Sequence, residues 1–241
     1  MRLGVLGCGT IASAVVRGLA GKGHQITVSE RSASHSLALA EAFEDVAVCG
    51  NQAVIDASDV VFLGLMAEIA EAVLGGLTFR ADQQVVSFMA GAELEQVADW
   101  AAPATAAAVM MPFPGIAQGC SPIMALGDTA LLGRIFEPDN RVFALQDGAE
   151  LKSYLAAQAV LSPAARLVGD AADWLGQRVS DPAQGEAFLR MLVSTSLQAS
   201  GCADLIEALN TPGGYNQRLR LHMEEAGMRT SLAEGLGELK S

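Results

Sequence analysis

Aromatic side chains make up only 5% of this 241-residue chain, and charged ones only 17%. The first shortage argues against an all-β sandwich. Alanine and glycine fill much of the 51% hydrophobic fraction and suit close helix-on-sheet and helix-on-helix packing. The second argues against disorder. Basic charge is scarce as well: 15 Lys and Arg face 27 Asp and Glu, a net charge of −12. That balance disfavours nucleic acid or an anionic membrane surface as partner. It leaves room for a phosphate-rich cofactor, because backbone N–H groups and a helix dipole act locally.

Metal-ligating chemistry is thin. Cys8, Cys49, Cys120 and Cys202 lie far apart without CxxC spacing, and the histidines are His24, His35 and His222. No zinc-type cluster is expected, and free thiols fit a reducing cytoplasm. No apolar run reaches the length of about 18 residues that would suggest a membrane span. The start, one arginine before a glycine-interrupted apolar run, does not read as a signal peptide. A cytoplasmic protein that engages neither membrane nor nucleic acid is the expectation.

What is present is an alternation of short apolar runs and helical patterns. Strands are expected at Leu3 to Leu6, Gln25 to Ser29, Val46 to Val48, Val60 to Leu65, Val85 to Phe88 and Ala106 to Met110. Helices fall between them, from Thr10 to Ala20, from Ser34 as cap to Phe43, from Ala67, and from Glu93 to Trp100. This order predicts a Rossmann-type parallel sheet with right-handed crossovers. Ser121 to Ala125 and Arg141 to Leu145 look like last strands, and beyond Ala149 only helical periodicity remains. Ser162 with Pro163 reads as a capped helix start. A long apolar helix is expected from Ala183 to Leu209. The reading is α/β: a Rossmann domain over residues 1–150, followed by an all-helical dimerisation and substrate domain over 151–241. A homodimer or higher homo-oligomer is expected, with Leu189, Leu192, Val193, Ser196 and Leu197 as part of its seam. The alternative is that this stripe packs only against Pro163 to Leu175.

Gly7-Cys8-Gly9-Thr10-Ile11-Ala12 is a G-x-G-x-x-A motif placed between the first strand and the first helix. Gly7 would allow the tight turn, Gly9 the approach of a pyrophosphate, and Ala12 close helix–sheet packing. The N–H groups near Thr10 and Ile11 would face the phosphates. Glu30, about twenty residues on, is placed to bond the ribose of NAD. Arg31 and Ser32 directly after it suit the 2′-phosphate of NADP. The two signals conflict, with a lean to NADP over NAD. Asn51 is a candidate on the adenosine side or a helix cap. Leu65, Met66 and Ala90, at strand ends on the carboxyl edge, and Pro112 are further cofactor candidates.

Together these residues resemble the pyrroline-5-carboxylate reductases, which reduce a cyclic imine. The segments that carry the resemblance are the opening motif, Val85 to Gly91, Met111-Pro112, Thr211-Pro212-Gly213-Gly214 and Glu224 to Arg229. It implies a Rossmann domain with a helical domain that intertwines two subunits, and substrate bound where they meet. It also implies a small-molecule substrate carrying a carboxylate, held by the N–H groups of Gly213 and Gly214 and by Ser162 at a helix start. Tyr215 and Asn216 replace the family's threonines and are the catalytic candidates. Phe113 stands for an asparagine and makes the pocket less polar. Leu65-Met66-Ala67 replaces the family's Val-Lys-Pro, and Val160-Leu161-Ser162-Pro163 its G-S-G-P.

Other chemistries share the opening motif. A β-hydroxyacid dehydrogenase would need an interdomain lysine, for which Lys152 is the sole candidate. Hydride transfer to a deazaflavin and a non-catalytic NAD(P)-binding protein complete the alternatives.

Overall fold

The structure is a computed structural model and describes residues 1–31, 33–89 and 91–239. The chain divides into two compact units, Met1–Leu151 and Lys152–Ser241.

In the first unit, β1 (Arg2–Leu6), α1 (Thr10–Leu19), β2 (Gln25–Ser29), α2 (Ala33–Ala42) and β3 (Val46–Cys49) alternate strictly. The alternation continues through α3 (Asn51–Asp56), β4 (Val60–Leu63), α4 (Ala67–Leu74), β5 (Gln84–Ser87), α5 (Leu94–Ala101) and β6 (Thr105–Pro112). A 3-10 turn (Pro114–Ala117), β7 (Pro122–Gly127), α6 (Thr129–Phe136) and β8 (Arg141–Ala144) follow. The strands form one eight-stranded sheet in the order β3-β2-β1-β4-β5-β6-β7-β8. β1 to β6 are parallel, β7 runs against β6, and β8 is parallel to β7. The reversal has a simple cause: the link 113–121 is too short for the crossover that a parallel neighbour needs. The Rossmann-type sheet expected from the sequence is the one observed.

Side chains alternate across this sheet and build a core on each face. Leu3, Val5, Phe62 and Val86 pack with Val15, Val16 and Leu19 of α1. Leu6, Val61, Leu63 and Val85 pack on the other face with Val54, Leu74 and Val97. Helix α1 meets the 3-10 turn at Gly18, where an added Cβ would come within 2.5 Å of the Ile116 carbonyl oxygen. Two helix starts differ from the sequence reading. Ser34 lies inside α2 rather than capping it, and α5 is capped by Glu93 through a reciprocal bond with Gln96.

The second unit is helical: α7 (Gly148–Ala157), a 3-10 turn (Gln158–Val160), α8 (Leu161–Gly176), α9 (Pro182–Ala199), α10 (Cys202–Ala208), α11 (Tyr215–Glu225) and α12 (Met228–Glu238). The division between the units falls within α7. Asp181 caps α9 by accepting the Gln184 N–H at 3.0 Å, with Pro182 in its first turn. The apolar stretch expected as one helix from Ala183 to Leu209 is two. Ser200 is extended, and Gly201 opens α10. The Ser162 cap is also absent. Ala157, Val160 and Leu161 all keep right-handed helical angles, so the backbone passes from α7 through the 3-10 turn into α8. Pro163 lacks the N–H that a regular helix would send to residue 159, and the 3-10 turn sits at that place. Ser162 is therefore inside a helix, without the free helix start expected of it.

Candidate functional site

The carboxyl edge of the sheet is shaped by two glycines. Gly7 directly follows β1 at φ +86°, and an added Cβ would lie 2.6 Å from the Gly64 carbonyl oxygen. Gly64, just past β4, donates its N–H to Leu6 at 2.8 Å, and its own Cβ would strike the Phe88 ring. β1 and β4 thus stay in close backbone contact at the point where the strand order reverses, the ligand crevice of an open α/β sheet. The Gly7 N–H is held by the Ser29 hydroxyl at 2.9 Å, which ties the turn to the end of β2. Ser29 is fully buried. Neither Gly64 nor Ser29 was singled out from the sequence. A glycine directly after the most apolar strand was a usable signal for the first, and nothing local signals the second.

Gly9 precedes α1 and gives it no side-chain cap. A Cβ there would meet nothing within 4 Å, so the backbone faces open space. Thr10 is exposed and Ile11 half-buried in the first turn, while Ala12 is buried against the sheet. An uncapped helix start behind a bare glycine is the shape that a pyrophosphate requires. Cys8, inside the same turn, is fully buried, its Sγ 3.7 Å from the Ser13 hydroxyl. Burial pushes this thiol above its ordinary pKa, so it stays protonated and serves packing.

The other candidates fall along the same edge. Glu30 follows β2, donates its N–H to Cys49 at 3.1 Å and leaves its carboxylate exposed. Arg31 beside it is exposed too. Ser32 and Ala90 lie outside the described residues. Asn51 is the first residue of α3, with Gly50 in the capping position, so the cap alternative for Asn51 does not hold. Leu65 is half-buried and Met66 is exposed just before α4. Pro112 is buried as the last residue of β6, opposite Ile123, and Phe113 is half-buried at the start of the 3-10 turn.

In the helical unit, Tyr215 and Asn216 open α11, both exposed. Gly213 has φ +72°, as a turn into a helix needs. Its N–H is not free, however: it donates to Gln217 Oε1 at 2.8 Å. The Gly214 N–H donates to the Thr211 carbonyl at 2.9 Å. The expectation of two open donors for a carboxylate is corrected here, because the loop closes on itself. Among the described residues no cluster of His, Cys, Asp and Glu could hold a metal ion, and no helix is long and apolar enough to cross a membrane.

Comparison with known proteins adds to this geometry. Residues 2–91 match the family model for NADP oxidoreductase, coenzyme F420-dependent. The match stops before β6, so it bears on the dinucleotide turn and not on the hydride acceptor. Among solved structures, the chain is similar to 1-pyrroline-5-carboxylate reductase from Streptococcus pyogenes, with TM-score 0.82, 20% identity, and 100% of this chain and 96% of that one covered. Pyrroline carboxylate reductase from Plasmodium falciparum, solved with NADP bound, gives TM-score 0.82 at 12% identity, covering 100% and 95%. A reductive aminase from Aspergillus terreus, solved with NADPH4, cyclohexanone and allyl amine, gives 0.62 at 18% identity, covering 99% and 89%. An eight-stranded, mostly parallel sheet with a helical region after it, matched along its whole length, gives this chain the fold of the pyrroline-5-carboxylate reductases.

Proposed function

We propose that the chain is an NAD(P)H-dependent reductase of a carbon–nitrogen double bond. Residues 1–150 would hold the dinucleotide, and residues 151–241 would pair with a second copy and contact substrate. The observation that carries this reading is the turn at Gly7 and Gly9, with its open, uncapped helix start at the switch point of the sheet. The shared fold with enzymes named for pyrroline carboxylate and amine chemistry supports the reaction class.

The nicotinamide supplies the hydride. An iminium already carries its activating charge, so the protein's part is to orient it and exclude water. Gly7, Gly9, Thr10 and Ile11 would hold the pyrophosphate, and Glu30, Arg31 and Asn51 the adenosine end. Leu65, Met66 and Pro112 would stand toward the nicotinamide. Phe113 would supply an apolar wall, and Tyr215 and Asn216 would hydrogen-bond the substrate. The adjacent, exposed Arg31 gives NADP a slight preference over NAD.

Gly9→Val should abolish NADPH binding in fluorescence titrations while circular dichroism stays native. Unchanged affinity would place the cofactor elsewhere. Arg31→Ala should weaken NADPH more than NADH, and an equal loss for both would reverse the preference. Turnover on cyclic imines, rather than on 2-oxo acids, tests the reaction class. Tyr215→Phe should then lower kcat/KM several-fold with cofactor affinity unchanged.

A further inference from the structure

The turn before α11 is held by a chain of side-chain bonds. Gln217, half-buried, accepts the Gly213 N–H on Oε1 at 2.8 Å. Its Nε2 donates to Asn210, to Oδ1 at 3.1 Å and to the backbone carbonyl at 3.4 Å. Arg220 Nη2 donates to the same Asn210 Oδ1 at 2.9 Å, and Arg220 Nη1 lies 3.0 Å from both carboxylate oxygens of Glu224. The Gly214 N–H is taken by Thr211, and Pro212 has no N–H to offer.

A neutral amide oxygen thus sits where a substrate carboxylate would meet the Gly213 N–H, and the nearby guanidinium of Arg220 is already paired. A carboxylate moved from water to this turn would lose hydration without gaining charge-assisted bonds in return. We infer that Gln217 is a specificity-determining residue, which closes the turn to carboxylates and selects C=N substrates that carry none. The inference rests on the reading of the chain as a C=N reductase.

The test compares kcat/KM, with NADPH, on 1-pyrroline and on pyrroline-5-carboxylate, the same ring with and without the carboxylate. The wild type should favour 1-pyrroline. Gln217→Leu opens the Gly213 N–H and should shift the ratio toward the carboxylate by about tenfold, the scale of one hydrogen bond to a charged group. Gln217→Glu keeps an acceptor for Gly213 and adds a negative charge, so it should shift the ratio the other way. It also serves as the test if the leucine variant does not fold. A wild type that prefers pyrroline-5-carboxylate overturns the inference, as does a ratio indifferent to these changes. If the wild type reduces neither imine, the reductase reading itself falls, an outcome distinct from a wrong preference between two accepted imines.

Discussion

Between Met1 and Leu151 most large apolar side chains are hidden, Leu3, Leu6, Phe62, Leu63, Met89 and Ile116 fully so, with Met1, Leu37 and Met66 as the exposed exceptions. From Lys152 onward, among the described residues, the buried apolar side chains are those of Ala156 and Ala172, while Trp174, Phe188, Met191, Leu192, Leu197 and Leu219 stand exposed. An apolar groove of about 620 Å³ runs between α8 and α12, lined by Val160, Pro163, Leu167, Met228, Leu232 and Leu239 among others. A sheet covered by helices on both faces closes its own core. Helices whose apolar sides lack a covering layer do not, and such surface marks an interface. The expected seam is split: Leu192, Val193 and Leu197 are exposed, whereas Leu189 and Ser196 are half-buried. The proposed second copy is what would cover the exposed set.

The sharpest way to test the contrast is to remove one large side chain from each unit. Phe62 is fully buried, with ring centroids 6.1 Å from Phe88 and 6.0 Å from Phe136. Phe62→Ala should lower the stability of the first unit by about 3–5 kcal/mol, whatever the protein concentration. The chain carries one tryptophan per unit, Trp100 and Trp174, so urea unfolding of Trp174→Phe and Trp100→Phe backgrounds reads each unit separately. Met191, 69% exposed, should behave differently. Met191→Glu should turn a sedimenting dimer into a monomer at micromolar concentration and lower the Trp174 transition, leaving that of Trp100 nearly in place. A wild type that sediments as a monomer would break the comparison.

Two helical glycines test it at smaller scale. Gly18 in α1 is pressed against the Ile116 carbonyl, and Gly169 in α8 has nothing within 4 Å of an added Cβ. Gly18→Ala should destabilise by about 1–3 kcal/mol through overpacking. Gly169→Ala should stabilise by about 0.5–1 kcal/mol, because alanine loses less backbone entropy in a helix. Thermal melts of the two variants should move in opposite directions. A loss at Gly169 that grows with protein concentration would put that face of α8 in the interface between copies.

The first unit was the more legible in sequence, because its elements are fixed locally. A glycine motif between an apolar run and a helical pattern leaves little choice, and β2 falls at Gln25–Ser29 as read. Helix α6, absent from the expected elements, still carries usable signals in sequence, Asp128 as cap and Leu131, Leu132, Ile135 and Phe136 on one face. The misreadings follow from local rules overruled by the surrounding chain. Ser162-Pro163 fits a helix start, yet the preceding helix continues through it. The Pro212–Gly214 turn looks open in sequence. Its closure depends on Gln217 reaching back one helical turn and on Asn210 in front of the turn, partners that no motif names.

The smallest expected effect is a pH dependence confined to the first unit. His24, just before β2, has Nδ1 buried without a hydrogen-bond partner. Burial lowers its pKa, the N-terminal amine and Lys22 push the same way, and Asp45 opposes them. The folded state therefore holds the neutral imidazole, while the unfolded chain takes up a proton near the ordinary value of about 6.5. Proton uptake by the unfolded state alone favours unfolding. Stability should be independent of this group above that value, fall as pH drops below it, and level off once the lower folded pKa is passed. His24→Gln cannot titrate and should flatten that part of the profile. Urea midpoints of the Trp100 transition between pH 8 and pH 5 measure it. Parallel profiles for the variant and the wild type would assign the slope to other groups.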